Sequence, residues 1–152
     1  MMLGEIDMMG APIRLSPSPG QLIRIAQQVH TRLWTEHVGG ELTAPQYAAL
    51  VALAVEPGAD QRTVGERASL DKATMAEMVG RLVRRGLVLR RRDPADGRRN
   101  LLALSPAGVE LLTQVRGGVD DVQRQLLEPL QADDREGVVA LLMVTARLAG
   151  QV

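Results

Sequence analysis

Apolar residues recur three and four positions apart in six stretches of the chain, which is the spacing of a helix with one buried face. Between these stretches lie the glycines, prolines and capping residues that end and begin helices. The predicted helices cover about residues 20–37, 43–55, 60–68 and 71–85, followed by a long helix from 106 and another from 133. The chain is therefore predicted to be mainly helical.

The second and fourth helices have the clearest local signals. Thr43 and Gln46 are spaced as a capping box. The buried stripe of this second helix is predicted to contain Tyr47, Leu50, Val51 and Ala54. The fourth helix is predicted to begin after Asp71, its N-cap, and to stop at Gly86. Its predicted buried stripe is Met75, Met78, Val79 and Leu82.

Two short strand-like runs follow the fourth helix. They cover Leu87 to Arg92 and Asn100 to Leu104, and the residues between them form the turn of a predicted β-hairpin. Ser105 and Pro106 then open the long fifth helix, in which Gly117-Gly118 is predicted to make a weak point or bend. The order α-α-α-α-β-β-α-α indicates a mainly α fold with a small β-hairpin wing, that is, a winged helix-turn-helix.

Composition narrows the chemistry. Of 152 residues, 45% are hydrophobic, but there is one Trp, one Tyr and no Phe, so the core must be built from aliphatic side chains. The absence of cysteine excludes disulfides, zinc–thiolate sites and thiol redox sensors. No segment reaches the roughly 18 apolar residues of a membrane span, so a cytoplasmic protein without a membrane partner is expected.

The charges are segregated along the chain. The formal net charge is zero, yet the segment from Gln61 to Asn100 contains eleven basic and five acidic residues and so carries +6. The rest of the chain carries −6. A local cationic surface attracts and orients a phosphate backbone even when the whole protein is neutral.

The cationic segment contains two features that are typical of DNA-binding proteins. The turn of the hairpin has seven residues and is flanked by arginines, whereas hairpin loops usually have about two to five residues. Such a tip lies along the DNA backbone or in the minor groove, while the preceding helix presents its first turn to bases in the major groove. The start of the third helix can donate to phosphates. The candidate DNA-binding residues are Gln61, Arg62, Thr63, Lys72, Ala73, Thr74, Glu77, Arg81, Arg91, Arg92, Arg98 and Arg99.

These residues resemble a known family. From about Leu42 to Leu112, the stretches LTAPQYAALVAL and DQRTVGERASLDKATMAEMVGRLVRRGLVLRRRDPADGRRNLLALSPAG are similar to the MarR-type (multiple antibiotic resistance regulator) transcription factors. Asp96-Gly97-Arg98 matches the Asp-x-Arg signature of the family's wing. The resemblance implies that Arg98 enters the minor groove and that Asp96, a further DNA-site candidate, orients the wing arginines.

The resemblance also implies an assembly and a mode of control. Residues 1–152 would form a single domain, with a DNA-binding lobe at 42–105 and dimerisation helices at 15–38 and 106–150. Two chains would form a homodimer that represses from a palindromic operator and is released by a small, often aromatic or phenolic, acid. Independently, the two long terminal helices have more apolar surface than one winged domain can cover, which favours a dimer.

A candidate effector site lies on the first helix. His30 and Trp34 are four residues apart, and Arg24 and Arg14 are nearby in sequence, so a ring, an imidazole and a guanidinium could hold an aromatic carboxylate. The alternative is that Trp34 is a packing residue at the dimer interface and His30 a hydrogen-bonded partner. No metal or cofactor is expected, because His30, His37 and Glu41 lack the further ligands of a metal site.

Two other classes of function compete with DNA binding. An enzyme is not indicated, because no nucleophile with a base, no glycine-rich phosphate loop and no metal motif is present. The second alternative is a winged-helix protein-interaction module that does not bind DNA. Dense arginine at the wing tip disfavours it, since the cores of protein interfaces usually exclude like charges.

Overall fold

The computed structural model describes residues 18–149, and it confirms the predicted order of six helices and one hairpin in that range. The elements are α1 (Pro19–His37), α2 (Ala44–Val55), α3 (Gln61–Arg67), α4 (Lys72–Arg84), β1 (Val88–Arg92), β2 (Asn100–Leu104), α5 (Pro106–Leu127) and α6 (Ala132–Ala149). Packing divides the chain at Arg32 into two compact units, and the second unit, from Leu33 onward, contains the helix-turn-helix and the hairpin.

The core of the second unit is aliphatic, as the composition requires. The predicted stripe of α4 is confirmed, because Met75, Met78, Val79 and Leu82 are all buried there. Helix α4 packs against α3 and β1, while α2 packs against α3, β2 and α5. The most deeply buried side chains are Leu42, Leu50, Leu53, Val64, Met75, Val79, Leu82, Val88, Leu102 and Val122.

The predicted buried face of α2 is confirmed only at Leu50, whereas its capping box is confirmed. Thr43 Oγ1 accepts from the amide of Gln46 at 3.3 Å, and the Gln46 side chain accepts from the amide of Thr43 at 3.0 Å. The buried residues of the helix are Ala49, Leu50, Ala52 and Leu53, whereas Tyr47 and Val51 are half-buried and Ala54 is exposed. After its capping residues this helix is apolar on every side, so periodicity alone could not select the face that packs.

The hairpin pairs antiparallel and has a third partner. Its register runs from Val88 opposite Leu104 to Arg92 opposite Asn100. On its other edge, β2 bonds to the loop before α3: the Leu102 amide donates to the Ala59 carbonyl, and the Gly58 amide donates to the Leu102 carbonyl, both at 2.9 Å. An isolated bridge joins Asp60 to Leu101. The root of the hairpin is therefore fixed to the start of α3.

The long helix α5 begins as predicted but does not break at its glycine pair. Ser105 is its N-cap, and its hydroxyl accepts from the Gly108 amide at 3.0 Å. The helix continues through Gly117-Gly118 without interruption, and the weak point or bend there stays a prediction. A Cβ atom at Gly118 would overlap the carbonyl oxygen of His37, whereas one at Gly117 would meet nothing. Gly118 therefore permits a close approach of α5 to the end of α1.

The final helix presents an apolar surface that the described part of the chain does not cover. Its middle residues are strongly hydrophobic, and the Leu141 side chain is 66% exposed. The exposed large apolar residues of α6 are Val139, Leu141, Leu142, Met143 and Val144. Soluble monomers rarely leave so contiguous an apolar surface in water. No helix within residues 18–149 is long and apolar enough to cross a membrane.

The two adjacent glycines of α5 provide a matched test of this packing. Gly117→Ala should stabilise the protein by up to about 1 kcal/mol, because alanine favours the helix and the site is open. Gly118→Ala should destabilise it by about 1–3 kcal/mol, because the added methyl group overlaps backbone. Urea unfolding followed by circular dichroism measures both, and equal effects at the two positions would contradict the close approach.

Candidate nucleic-acid interface

The N-termini of α3 and α4 are held by matching aspartate caps. Asp60 accepts from the Thr63 amide at 2.9 Å and from its hydroxyl at 2.8 Å. Asp71 accepts from the amides of Ala73 and Thr74, both at 3.0 Å, and from the Thr74 hydroxyl. These bonds stabilise the carboxylates, so that the amide of Thr63 chiefly lowers the pKa of Asp60 and the hydroxyl of Thr74 chiefly lowers the pKa of Asp71.

The outer face of α4 exposes every residue that the sequence proposed for it. Lys72, Ala73 and Thr74 form its exposed first turn. One and two turns further along, Glu77 and Arg81 form an ion pair on the same helix. A positive helix N-terminus with short side chains and one lysine is suited to contact base edges and phosphates. The Thr74 hydroxyl, however, already donates to Asp71, which leaves only its acceptor lone pairs.

Hydrogen bonds within the wing tip hold the shape of its turn. Within it, Asp96 Oδ1 accepts from the Arg98 amide at 3.0 Å, and the Asp96 carbonyl accepts from the Arg99 amide at 2.9 Å. The Arg92 guanidinium donates to the Gly97 carbonyl at 3.0 Å. Asp96 thus shapes the backbone that carries Arg98. The resemblance implied instead that Asp96 orients arginine side chains, and that role remains a prediction.

The arginines of the wing differ in how they are held. Arg99 donates from Nη2 and Nε to Asp60 at 2.7 and 3.1 Å, and it lies 3.9 Å from Asp93. Hydrogen bonding to Asp60 is the main cause that raises the pKa of Arg99, and the charges of Asp93 and Asp96 add to it. Arg98 is exposed, and its guanidinium has no hydrogen bond or ion pair to other described residues. It is therefore available to a ligand.

An open cleft of about 660 Å³ joins α3, the start of α4 and the wing. It brings together five of the predicted DNA-binding residues: Gln61, Arg62, Lys72, Arg98 and Arg99. Its floor contains the apolar Leu70 and Met75. Arg62 pairs with Glu66 on the same exposed helix face at 2.8 Å, a contact that water largely screens. Arg91 and Arg92 lie on the exposed strand β1 and do not line the cleft.

The sequence did not identify Asp60 and Asp93 as parts of this site. Asp60 could be read from the sequence as a helix start, but its partner Arg99 lies 39 residues further along the chain. Spacing within one helix or hairpin gives no signal for such a contact. The contact of Asp60 with the wing is therefore visible only in the folded structure, where the hairpin lies against the start of α3.

The proposed effector residues lie in different environments. Arg14 is outside the described residues, Arg24 is exposed on α1, and His30 is half-buried on the same helix. Trp34 is 8% exposed. Its indole N–H donates to the Leu42 carbonyl at 2.7 Å, and its ring packs edge-on against Tyr47 at 5.6 Å. Trp34 is thus a packing residue within its own chain, whereas its place at a dimer interface and an effector role for the set remain predictions.

His37 is engaged within the fold. Its Nε2 atom lies 2.7 Å from the side-chain nitrogen of Gln125 on α5. Among residues 18–149, no group of three or more His, Asp or Glu residues is placed to hold a metal ion.

The helix-turn-helix, its exposed fourth helix and the cationic hairpin define a winged helix-turn-helix DNA-binding protein. Comparison with known proteins identifies its family. The sequence profile of the MarR family matches residues 41–99. The transcriptional regulator HosA of Escherichia coli is 40% identical over 116 residues, which is 76% of this chain and 84% of HosA.

Solved structures agree in fold. The PcaV transcriptional regulator from Streptomyces coelicolor, in complex with its natural ligand, superposes with a TM-score of 0.86 at 45% identity, over 91% of this chain and 99% of PcaV. BpsR of Bordetella bronchiseptica, whose DNA binding is regulated by 6-hydroxynicotinic acid, superposes with a TM-score of 0.84 at 28% identity, over 90% and 98%. The chain belongs to the MarR family and is a DNA-binding transcriptional regulator. The alternative of an interaction module without DNA binding has no support among these relatives.

Replacing Arg98, whose exposed guanidinium has no hydrogen bond or ion pair to other described residues, tests this interface. Arg98→Ala should weaken binding to a cognate duplex by about 1–3 kcal/mol, because it removes one charged DNA contact. Its thermal melt should be nearly unchanged, since the side chain is exposed and its guanidinium has no hydrogen bond or ion pair to other described residues. Fluorescence anisotropy with a labelled duplex measures the affinity.

The matched control is Arg116→Ala, which removes an exposed arginine from α5, outside the cleft. It should bind DNA nearly as the parent protein does. Equal affinities for the parent protein and the Arg98→Ala variant would contradict the placement of the wing on DNA.

Proposed function

We propose that this chain is a homodimeric repressor that binds a palindromic operator through α3, α4 and the wing, and that a small aromatic or phenolic acid releases it. The observation that supports DNA binding most directly is the cleft. Three separate elements contribute cationic side chains to it, namely Arg62 from α3, Lys72 from α4 and Arg98 from the wing. Converging cations on a neutral protein are suited to a polyanion.

Each element would occupy a separate groove. The first turn of α4, with Lys72, Ala73 and Thr74, is small and exposed enough to enter the major groove. Arg98 at the wing tip extends from a narrow hairpin and would enter the adjacent minor groove. The sugar–phosphate strand that separates these grooves would then run through the cleft, where Arg62 and the α3 N-terminus contact its phosphates. The DNA-binding lobe thus comprises residues 42–105.

A dimer accounts for the apolar surface of α6. A second copy would cover the exposed leucines Leu141 and Leu142, which one chain leaves in water. Dimers of soluble proteins usually have twofold symmetry, so two wings and two α4 helices would address an inverted repeat. Residues 15–38 and 106–150 are the proposed dimerisation helices.

The proposed effector is an aromatic or phenolic acid. Support comes from two relatives with the same fold: BpsR, regulated by 6-hydroxynicotinic acid, and PcaV, crystallised with its natural ligand. Arg24 and His30 on α1, together with Arg14, are the candidate contacts for its carboxylate. Trp34 would contribute by packing, because its N–H is already bonded to Leu42.

A mobility-shift assay on the duplex that flanks the chain's own coding sequence tests repression and release together. The protein should bind it at low salt, and affinity should fall steeply between 50 and 200 mM salt, by about a thousandfold or more if six or more phosphates are contacted. At least one member of a panel of hydroxybenzoic and pyridine carboxylic acids should reverse the shift. A flat salt response would contradict the phosphate contacts, and a shift that no acid reverses would contradict the effector class.

A further inference from the structure

We infer that Asp60 is a positioning residue for DNA binding, an acid in the cationic cleft that holds the wing in register with α3 and α4 by anchoring Arg99. This inference rests on the proposed function and adds a residue that neither the sequence pattern nor the family resemblance selected. Removing this negative charge from the DNA-facing surface should weaken DNA binding, although charge repulsion alone predicts stronger binding.

The Asp60 carboxylate binds two separate partners. Asp60 Oδ1 caps α3 through Thr63, while Asp60 Oδ2 accepts both bonds from Arg99 at 2.7 and 3.1 Å. The carboxylate therefore joins the helix that begins the helix-turn-helix to the last residue of the wing turn. A two-point bond from a guanidinium fixes orientation as well as distance.

The Asp60 carboxylate is sheltered from water. The Asp60 side chain is 18% exposed and the Arg99 side chain 51% exposed, so the pair is more sheltered than the Arg62–Glu66 pair in the same cleft, at 87% and 62%. Fully exposed pairs contribute little and hold little in place. The shelter of Asp60 gives this one pair the rigidity that a positioning contact needs.

Arg99 is the residue next to Arg98 at the wing tip. The backbone contacts between β2 and the loop before α3 involve Leu102, at the middle of the strand, and Leu101, and they end before Arg99. Arg99 extends the anchorage to the edge of the turn. Because Arg98 directly precedes it, the Cα atom of Arg98 is fixed about 3.8 Å from an anchored residue. The ion pair between Asp60 and Arg99 thereby fixes both the width of the cleft and the position of the Arg98 backbone.

The variant that isolates this role is Asp60→Asn. Asparagine caps helices about as well as aspartate, so α3 retains its N-terminal cap while the ion pair to Arg99 is lost. The matched control is Glu66→Gln, which removes the same charge from the same cleft but frees Arg62 rather than the wing. Comparison of the two variants separates positioning from net charge.

The measurement is binding of the full chain to duplexes recovered by in vitro selection from a random library, by fluorescence anisotropy at fixed salt. Asp60→Asn should bind about five- to tenfold more weakly than the parent protein, as expected when one arginine contact is misplaced. Glu66→Gln should bind equally or more tightly. Arg99→Gln should be weakened similarly, and the double variant Asp60→Asn/Arg99→Gln should be no weaker than either single variant, because one contact is lost in all three.

Several results overturn the inference. Binding by Asp60→Asn that equals or exceeds that of the parent protein would show that the acid is merely a tolerated negative charge. So would strictly additive losses in the double variant. A drop that disappears when each variant is corrected for its folded fraction, taken from its thermal melt, would show a purely structural role. If the parent protein itself selects no DNA, both this inference and the proposed function fail, whereas an unaffected Asp60→Asn variant with a binding parent protein overturns the inference alone.

Discussion

The pairing of β2 with the loop before α3 is the contact on which the DNA-binding geometry depends. Leu102 is fully buried, and its amide and carbonyl bond to Ala59 and Gly58 on the edge that β1 leaves open. A two-stranded hairpin alone is marginally stable in water. The extra pairing converts the wing from a free hairpin into part of the helix-turn-helix lobe, and the cleft between them becomes a defined space.

The charged side chains of the wing differ in the contacts that they make. The arginines do not all reach outward: Arg92 closes the wing turn on Gly97, Arg99 is held by Asp60, and Arg98 is left exposed. The acids Asp60, Asp93 and Asp96 shape the surface, although each subtracts charge from it. In the segment from Gln61 to Asn100, four of the eleven basic residues form ion pairs among the described residues, so most of its positive charge is not neutralised by pairing.

Local signals predicted much of this and failed at long range. The caps at Thr43, Asp71 and Ser105 and the buried stripe of α4 were predicted, because each depends on residues within one or two turns. The buried face of α2 could not be predicted, since that helix is apolar all round. The close approach of Gly118 to His37 had no sequence signal, because the two residues lie far apart in the chain. For the same reason the Asp60–Arg99 contact had no sequence signal, although five of the residues that line the cleft beside it were predicted.

Groove-specific methylation interference on a selected duplex tests the central claim most directly, since it reads where each element lies on DNA. The account predicts interference from methylated guanine N7 in the major groove where α4 binds, flanked by interference from adenine N3 in the minor groove where the wing binds. For a twofold dimer this pattern should appear twice, at half-sites separated by whole turns of about 10 base pairs. Interference in the major groove without a minor-groove flank, or protection of phosphates without interference in either groove, would contradict it.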